Sequence, residues 1–154
     1  PAVRVGNIPD GTHAAYMWNA WGTSSWFEQT VSGFEVGKEY VLTYRENFRT
    51  DNHQASTTNL RVTLDGTTLV PVHQITYNDT EWYTVTSDPF EATKTSYTLR
   101  FNCLTPGYSG DAGAAVLDAV AFREVKEEQE IPEPASAMLV LAGAGVLARR
   151  RRKV

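Results

Sequence analysis

Three of the four tryptophans lie close together near the amino end, separated by small and polar residues. They are Trp18, Trp21 and Trp26, and Asn19 follows the first of them. An aromatic ring can stack on the apolar C–H face of a pyranose while neighbouring amides and carboxylates hydrogen-bond its hydroxyls. Trp18, Asn19 and Trp21 are therefore candidate carbohydrate-binding residues. The alternative is that the rings pack in a core, and for Trp26, which begins an alternating segment, core packing is favoured.

Three residues farther along the chain could contribute to the same chemistry. Arg45 and Asn47 lie at the end of an alternating segment, and Tyr108 lies in a loop rich in glycine. A guanidinium, an amide and a phenol can each hydrogen-bond a sugar hydroxyl. These residues complete the set of candidate carbohydrate-binding side chains.

Asp118 is an acidic residue in an otherwise apolar segment. A buried carboxylate needs a hydrogen-bond donor, a cation or a metal ion as its partner. Two alternatives remain open: the side chain bonds to a turn or faces solvent, or it is a ligand of a structural metal ion.

Catalysis has little support in the sequence. His13, His53 and His73 share no metal-ligand spacing and form no recognisable motif with a nucleophile. Two carboxylates could still meet in space as in a glycosidase, but nothing in the sequence selects a pair. Cys103 alternates with Leu99 and Phe101, which indicates a small buried hydrophobe. We therefore expect a protein that is not an enzyme.

The elements that position these residues are predicted by two-residue alternation of apolar and polar side chains. Asp65-Gly66 predicts a two-residue hairpin with positive φ, and Pro71 predicts an edge strand or a bulge. Short strands without an amphipathic helix predict an all-β fold, an antiparallel two-sheet β-sandwich. The predicted strands cover residues 14–18, 26–31, 40–45, 60–64, 68–75, 82–86, 97–103 and 115–125.

The carboxyl end has a different composition. Pro132-Glu133-Pro134 precedes fourteen residues, 135–148, of which only Ser136 is polar, and Arg149, Arg150, Arg151 and Arg152 follow. A helix of that length spans about 21 Å, less than a hydrocarbon core of about 30 Å, and arginine stems can extend it to the headgroups. The cationic end favours the cytoplasmic side. The alternative, a buried core helix, fits poorly with the Ala-Gly repeat and the arginine cluster.

This order of Pro-Glu-Pro, apolar helix and arginine cluster resembles the PEP-CTERM sorting signal of bacterial surface and exported proteins. The resemblance implies a transient inner-membrane anchor in a Gram-negative bacterium. An exosortase-type transpeptidase would cut near Pro132, Glu133 and Pro134 and pass the protein to the cell surface or the extracellular matrix.

The upstream part of the chain has the size and charge of one acidic domain. Without the tail it holds nine Lys and Arg and seventeen Asp and Glu, a net charge of about −8, which argues against nucleic acid as a partner. We expect a β-sandwich domain at 1–125, a charged linker at 126–131 and the sorting signal at 132–154. The chain opens without a signal peptide, so we expect that it was processed or that its amino end is missing.

A second resemblance rests on the alternating segments around Tyr40 to Tyr44, Leu60 to Gly66, Tyr97 to Phe101 and Leu117 to Phe122. They are similar to galactose-binding-like jelly-roll domains, the fold of many carbohydrate-binding modules. Such domains often hold a structural calcium through an Asp of the last strand, a position that Asp118 matches, together with a Glu of an opening strand that we expect to be missing here. The resemblance implies an exported protein that binds extracellular polysaccharide. A structural matrix protein without a defined ligand is the alternative, and a glycan-active enzyme is the third possibility.

Overall fold

The computed structural model describes residues 7–18, 24–48, 58–75, 81–104 and 114–126. Within these residues the chain forms nine β-strands in two antiparallel sheets. The predicted all-β sandwich is therefore confirmed, whereas the predicted helix at 135–148 lies outside the described residues. The strands are β1 (Ala15–Trp18), β2 (Ser25–Ser32), β3 (Glu39–Phe48), β4 (Thr58–Leu64), β5 (Thr67–Ile75), β6 (Tyr83–Thr86), β7 (Phe90–Glu91), β8 (Ser96–Leu104) and β9 (Ala114–Glu124).

The first sheet has the strand order β1-β9-β3-β6, with β7 also paired to β3. The second sheet has the order β2-β8-β4-β5. In each sheet one face is apolar and packs against the other sheet, because side chains on successive residues point to opposite faces of a strand. We call these the inner faces, and the two opposite faces the outer faces.

The inner faces build one core from both sheets. Its fully buried side chains include Leu42 and Tyr44 of β3, Leu60 of β4 and Phe101 of β8. The rings of Tyr44 and Phe101 meet edge to face across the two sheets, with centroids 5.2 Å apart. Burial of these alternating residues is the main term that stabilises the sandwich.

One end of the core is closed by aromatic rings. Phe34, from the turn before β3, packs edge to face against Tyr40, Tyr97 and Phe122, with centroids 4.9 to 5.2 Å apart. The Tyr97 hydroxyl also accepts the backbone N–H of Thr93 at 2.6 Å, which ties the loop before β8 to this cluster. The candidate residues Trp18 and Asn47 lie at the opposite end, where β1 and β3 finish.

The hairpin between β4 and β5 turns at the predicted residues. Asp65 and Gly66 have φ of 48° and 83°, and Leu64 pairs with Thr67 across the turn. Two positive φ angles match the twist of the flanking strands. The Asp65 carboxylate accepts the Thr98 N–H at 2.7 Å, which anchors the turn to β8.

Two strands depart from regular pairing. β5 is the edge strand of the second sheet, and its register with β4 shifts around Val62, so Pro71 lies in a bulged edge strand, as predicted. In β9 two residues, Ala119 and Val120, lie opposite one residue of β3, because Asp118 pairs with Arg45 and Ala121 pairs with Thr43. Ala119 takes the positive φ of 51° at this bulge.

The bulge in β9 breaks the two-residue alternation of this strand. Unbroken alternation would put Val116, Asp118, Val120 and Phe122 on one face. In the structure Leu117 lies in the core before the bulge and Phe122 packs against the core after it, while Val120 is exposed. The extra residue shifts the alternation by one. Even-numbered residues of β9 therefore lie on the outer face before the bulge, and odd-numbered residues lie on it after the bulge.

Candidate functional site

The outer face of the first sheet carries three of the candidate carbohydrate-binding residues, Trp18, Arg45 and Asn47. Paired residues of antiparallel strands project to the same side. Met17 and Leu117 point into the core, so Tyr16, Trp18 and Val116, which alternate with them, lie on the outer face. Trp18 pairs with Ala114 and Tyr16 with Val116, and both aromatic side chains are exposed.

Trp18 occupies the end of β1, where the fold gives its ring access to solvent. It is 56% exposed, although Met17 beside it is almost fully buried. Strand alternation is the reason, because only one of two successive residues can enter the core. Trp18 therefore presents an aromatic surface that a sugar ring could cover.

Arg45 lies on the same outer face, two strands away. It pairs with Asp118 of β9 on one side and with Thr84 of β6 on the other. Its Nη1 donates a hydrogen bond of 3.4 Å to the backbone carbonyl of Trp82, and the side chain remains exposed. The guanidinium thus keeps donors for a ligand.

Asn47 is a correction. Its position opposite Val116 is on the outer face, yet it is only 1% exposed. Its Oδ1 accepts the backbone N–H of Phe48 at 2.6 Å. The amide is used to satisfy buried backbone and does not reach solvent, so Asn47 does not belong to an exposed binding surface.

Asp118 is buried, and it bonds to a turn. The backbone N–H of Asp10 donates to its Oδ2 at 2.8 Å, so the carboxylate holds the turn before β1 against the outer face of β9. Among the described residues no group of three or more His, Cys, Asp and Glu could hold a metal ion. Calcium takes six to eight oxygen ligands, which can include backbone carbonyls and water. The calcium site stays a prediction.

Trp26 is a second correction, because the predicted core packing is wrong. It lies on the outer face of the second sheet and is 59% exposed, while Phe27 packs against the core. The guanidinium carbon of Arg100 lies 5.7 Å from the centre of the ring. Glu28, which shares the outer face with Trp26, is the signal that identifies this face as the one toward solvent.

One partly buried ion pair was not predicted from the sequence. Glu46 lies on the inner face of β3 with its side chain 7% exposed, and His73 of β5 reaches it from the other sheet with Nε2 at 2.9 Å from Oε2. The hydrogen bond to Glu46 and its charge raise the pKa of His73. Next to this pair, burial and the nearby Glu46 charge raise the pKa of Tyr44, whose hydroxyl has no hydrogen-bond partner within the described part of the chain.

The remaining candidates lie outside the described residues. These are Asn19, Trp21 and Tyr108 of the predicted carbohydrate site, and Pro132, Glu133, Pro134, Arg149, Arg150, Arg151 and Arg152 of the predicted sorting motif. In residues 7–126, so far as they are described, there is no helix with the length and apolarity needed to cross a membrane.

Comparison with protein families identifies the carboxyl-terminal segment. Residues 130–153 carry a PEP-CTERM protein-sorting motif. The match spans Pro132 to Pro134, the apolar run and the arginine cluster, so the resemblance drawn from these residues is confirmed. None of the curated proteins compared matches the chain.

Some solved structures are similar to this chain. One is the EclA C-terminal domain, described as a sugar-binding protein, with a TM-score of 0.54, 14% identity, and coverage of 76% of this chain and 83% of that one. Another is the insecticidal delta-endotoxin Cry8Ea1 from Bacillus thuringiensis, with a TM-score of 0.51, 13% identity, and coverage of 73% of this chain and only 20% of the toxin. A structure titled "CBM4 structure and function" matches with a TM-score of 0.43, 23% identity, and coverage of 73% and 84%. The TM-scores of the first two show a shared fold.

Proposed function

We propose that this chain is an exported, non-catalytic protein that binds extracellular polysaccharide through the outer face of its first sheet. The observation that carries the proposal is the exposed ring of Trp18 on the same sheet face as the exposed guanidinium of Arg45. A sugar ring stacks on the indole, and hydroxyls of the same chain receive hydrogen bonds from the guanidinium.

The spacing of these groups suits a chain of sugars better than a single one. Trp18 pairs with Ala114, and Arg45 pairs with Asp118, four residues along β9 and one strand beyond it. Strand geometry then separates the two Cα atoms by about 14 Å along the strands and about 10 Å across them. Tyr16, on the same face, lies between these two positions along the strands, and Thr84 of β6 lies one strand beyond Arg45.

Two comparisons support the proposal. The PEP-CTERM motif is a protein-sorting signal, in keeping with an exported protein. The EclA C-terminal domain shares the fold over most of both chains and is itself a sugar-binding protein. On this proposal an exosortase-type transpeptidase recognises the tail while it is anchored in the inner membrane of a Gram-negative cell.

Glycan binding by the full chain tests the proposal. A screen of neutral and acidic polysaccharides identifies a ligand, and calorimetry then compares the wild type with Trp18→Ala and Arg45→Ala. We expect Trp18→Ala to weaken binding about tenfold or more, the loss of one central aromatic contact. Val36→Ala is the control, since Val36 is exposed in the turn before β3, at the opposite end of the sandwich.

Other outcomes point to the competing functions. No binding to any glycan would favour a structural matrix protein, and release of reducing sugar from a polysaccharide would favour an enzyme. Sorting is tested separately by replacing Arg149, Arg150, Arg151 and Arg152 with Ser in a host that has an exosortase. We expect the variant to fail to reach the surface, and normal surface delivery would refute that part of the proposal.

A further inference from the structure

The outer face of the second sheet has a row of three side chains that the first site does not use. Trp26 of β2 pairs with Asn102 of β8, and Asn102 pairs with Arg61 of β4. All three project to the outer face, because Phe27, Cys103 and Leu60 beside them belong to the core or pack against it. An indole, an amide and a guanidinium thus lie side by side across three strands, with about 10 Å between the outer two Cα atoms.

The ring of Trp26 is held in place before any ligand arrives. The Arg100 guanidinium lies against it at 5.7 Å from the ring centre, and Glu28 fixes Arg100 through hydrogen bonds from Nε, at 2.7 Å, and from Nη2. Even so, 59% of the tryptophan is exposed. A fixed, exposed ring gives up little conformational freedom when it is covered, which favours binding.

The charges of this face differ from those of the domain. Glu28 neutralises Arg100, whereas within the described residues no acidic side chain pairs with Arg61, and its buried Nε has no hydrogen-bond partner. One cation therefore remains beside the amide of Asn102. At physiological ionic strength charges farther than about 8 Å are largely screened, so the acidic character of the whole domain does not cancel this local charge.

We propose that this row is a second carbohydrate-binding surface, with preference for a sugar that carries a carboxylate, such as a uronic acid. The sugar ring covers Trp26, Asn102 hydrogen-bonds a hydroxyl, and Arg61 binds the carboxylate. The surroundings favour a glycan over a protein partner, because the described neighbours of Trp26 on this face are the charged Glu28 and Arg100 and the polar Asn102, and not an apolar patch of the kind that protein partners bind. The inference rests on the proposed glycan-binding function but concerns a different face.

The test uses the full chain in a non-ionic detergent with two matched polymers, polygalacturonate and its methyl-esterified form. Calorimetry compares the wild type with Trp26→Ala, Arg61→Gln and the control Thr30→Ala, an exposed residue of the same strand and face. We expect Trp26→Ala and Arg61→Gln each to weaken polygalacturonate binding about tenfold and Thr30→Ala to leave it unchanged. The esterified polymer should bind the wild type about as weakly as polygalacturonate binds Arg61→Gln.

The possible outcomes test the second surface and separate it from the first. Equal binding of both polymers to the wild type, or full binding by Trp26→Ala, overturns the second surface. Trp26→Phe keeps an aromatic ring and should retain most of the binding, so loss in Trp26→Ala with retention in Trp26→Phe excludes misfolding as the cause. Trp18→Ala separates the proposals: if it abolishes neutral-glycan binding but leaves polygalacturonate binding intact, both surfaces stand, and if it leaves neutral binding intact, only the first surface fails.

Discussion

The ionic pair between Glu46 and His73 makes the stability of the sandwich depend on pH in a defined direction. The hydrogen bond that Glu46 accepts from His73 raises the pKa of His73 above its ordinary value of 6.5. A group whose pKa is raised by folding stabilises the protein fully below its unfolded pKa, and this stabilisation is lost as the pH rises through the folded pKa. The pair therefore contributes fully below about pH 6.5 and loses the charge term as the pH rises through the higher pKa of the folded state.

The size of the effect follows from burial. Breaking a fully buried ionic pair costs about 3–5 kcal/mol, and a hydrogen bond to a charged group contributes about 1.5–3 kcal/mol. Glu46 is 7% exposed but His73 is 29% exposed, so water reaches one partner and the lower range applies. We expect His73→Gln to lower the free energy of unfolding by about 2 kcal/mol at pH 6 and by about half of that at pH 8.5.

The assay is chemical denaturation followed by tryptophan fluorescence at several values between pH 5.5 and pH 8.5. Glu46→Gln should remove the same pH dependence, and the double variant should be no worse than the sum of the single ones. His13→Gln is the matched control, because His13 is exposed and its partner among the described residues is the neighbouring Thr12 hydroxyl at 2.8 Å. If the wild type and His73→Gln differ by the same amount across the whole range, the pair does not titrate as argued.

Three further predictions concern other parts of the fold. Gly66→Ala should lower the free energy of unfolding by about 1 kcal/mol in urea denaturation, because alanine rarely adopts the φ of +83° found there. A Cβ at Gly66 would meet no other atom, so the backbone conformation accounts for the whole loss, and an unchanged free energy of unfolding would refute the turn geometry. Cys103 is fully buried, with its Sγ 3.1 Å from the Thr58 hydroxyl, so a thiol reagent should react with it only after unfolding; rapid labelling of the native chain would contradict this. If the predicted calcium site exists, calcium should raise the melting temperature of the wild type and not of Asp118→Asn, and equal shifts in both would assign the ion elsewhere.

The strands were predictable because burial on one face imposes a two-residue period that survives in the sequence. Tyr40, Leu42 and Tyr44 alternate with polar residues and all enter the core. The Asp65-Gly66 turn was predictable because few residues other than glycine adopt its second φ angle. Local rules of this kind need no knowledge of the partner strand.

The bulge in β9 was not predictable by the same rules. Its positive φ falls on Ala119, a residue type that gives no signal for that conformation. If the two-residue period is continued past Ala119, Phe122 is assigned to the outer face, although it packs against the core. The extra residue depends on the pairing of β9 with β3, which a single strand does not encode.

The candidate site was predictable only in part, for related reasons. Trp26 was assigned to the core although Glu28, two residues on, indicates that their shared face is exposed. Asn47 has a residue type that suits a sugar site, yet it satisfies buried backbone. The partner of Glu46 lies on the other sheet, 27 residues along the chain, and sequence spacing cannot reveal such a contact.

Backbone amide mapping with a bound neutral glycan tests the central claim most directly. Titration of the labelled protein should shift the amides of β1, the first half of β9 and the end of β3, around Trp18, Val116 and Arg45. It should leave the aromatic end around Phe34 unchanged. Shifts confined to that end, or none at saturating glycan, would contradict the assignment of the outer face of the first sheet as the carbohydrate-binding surface.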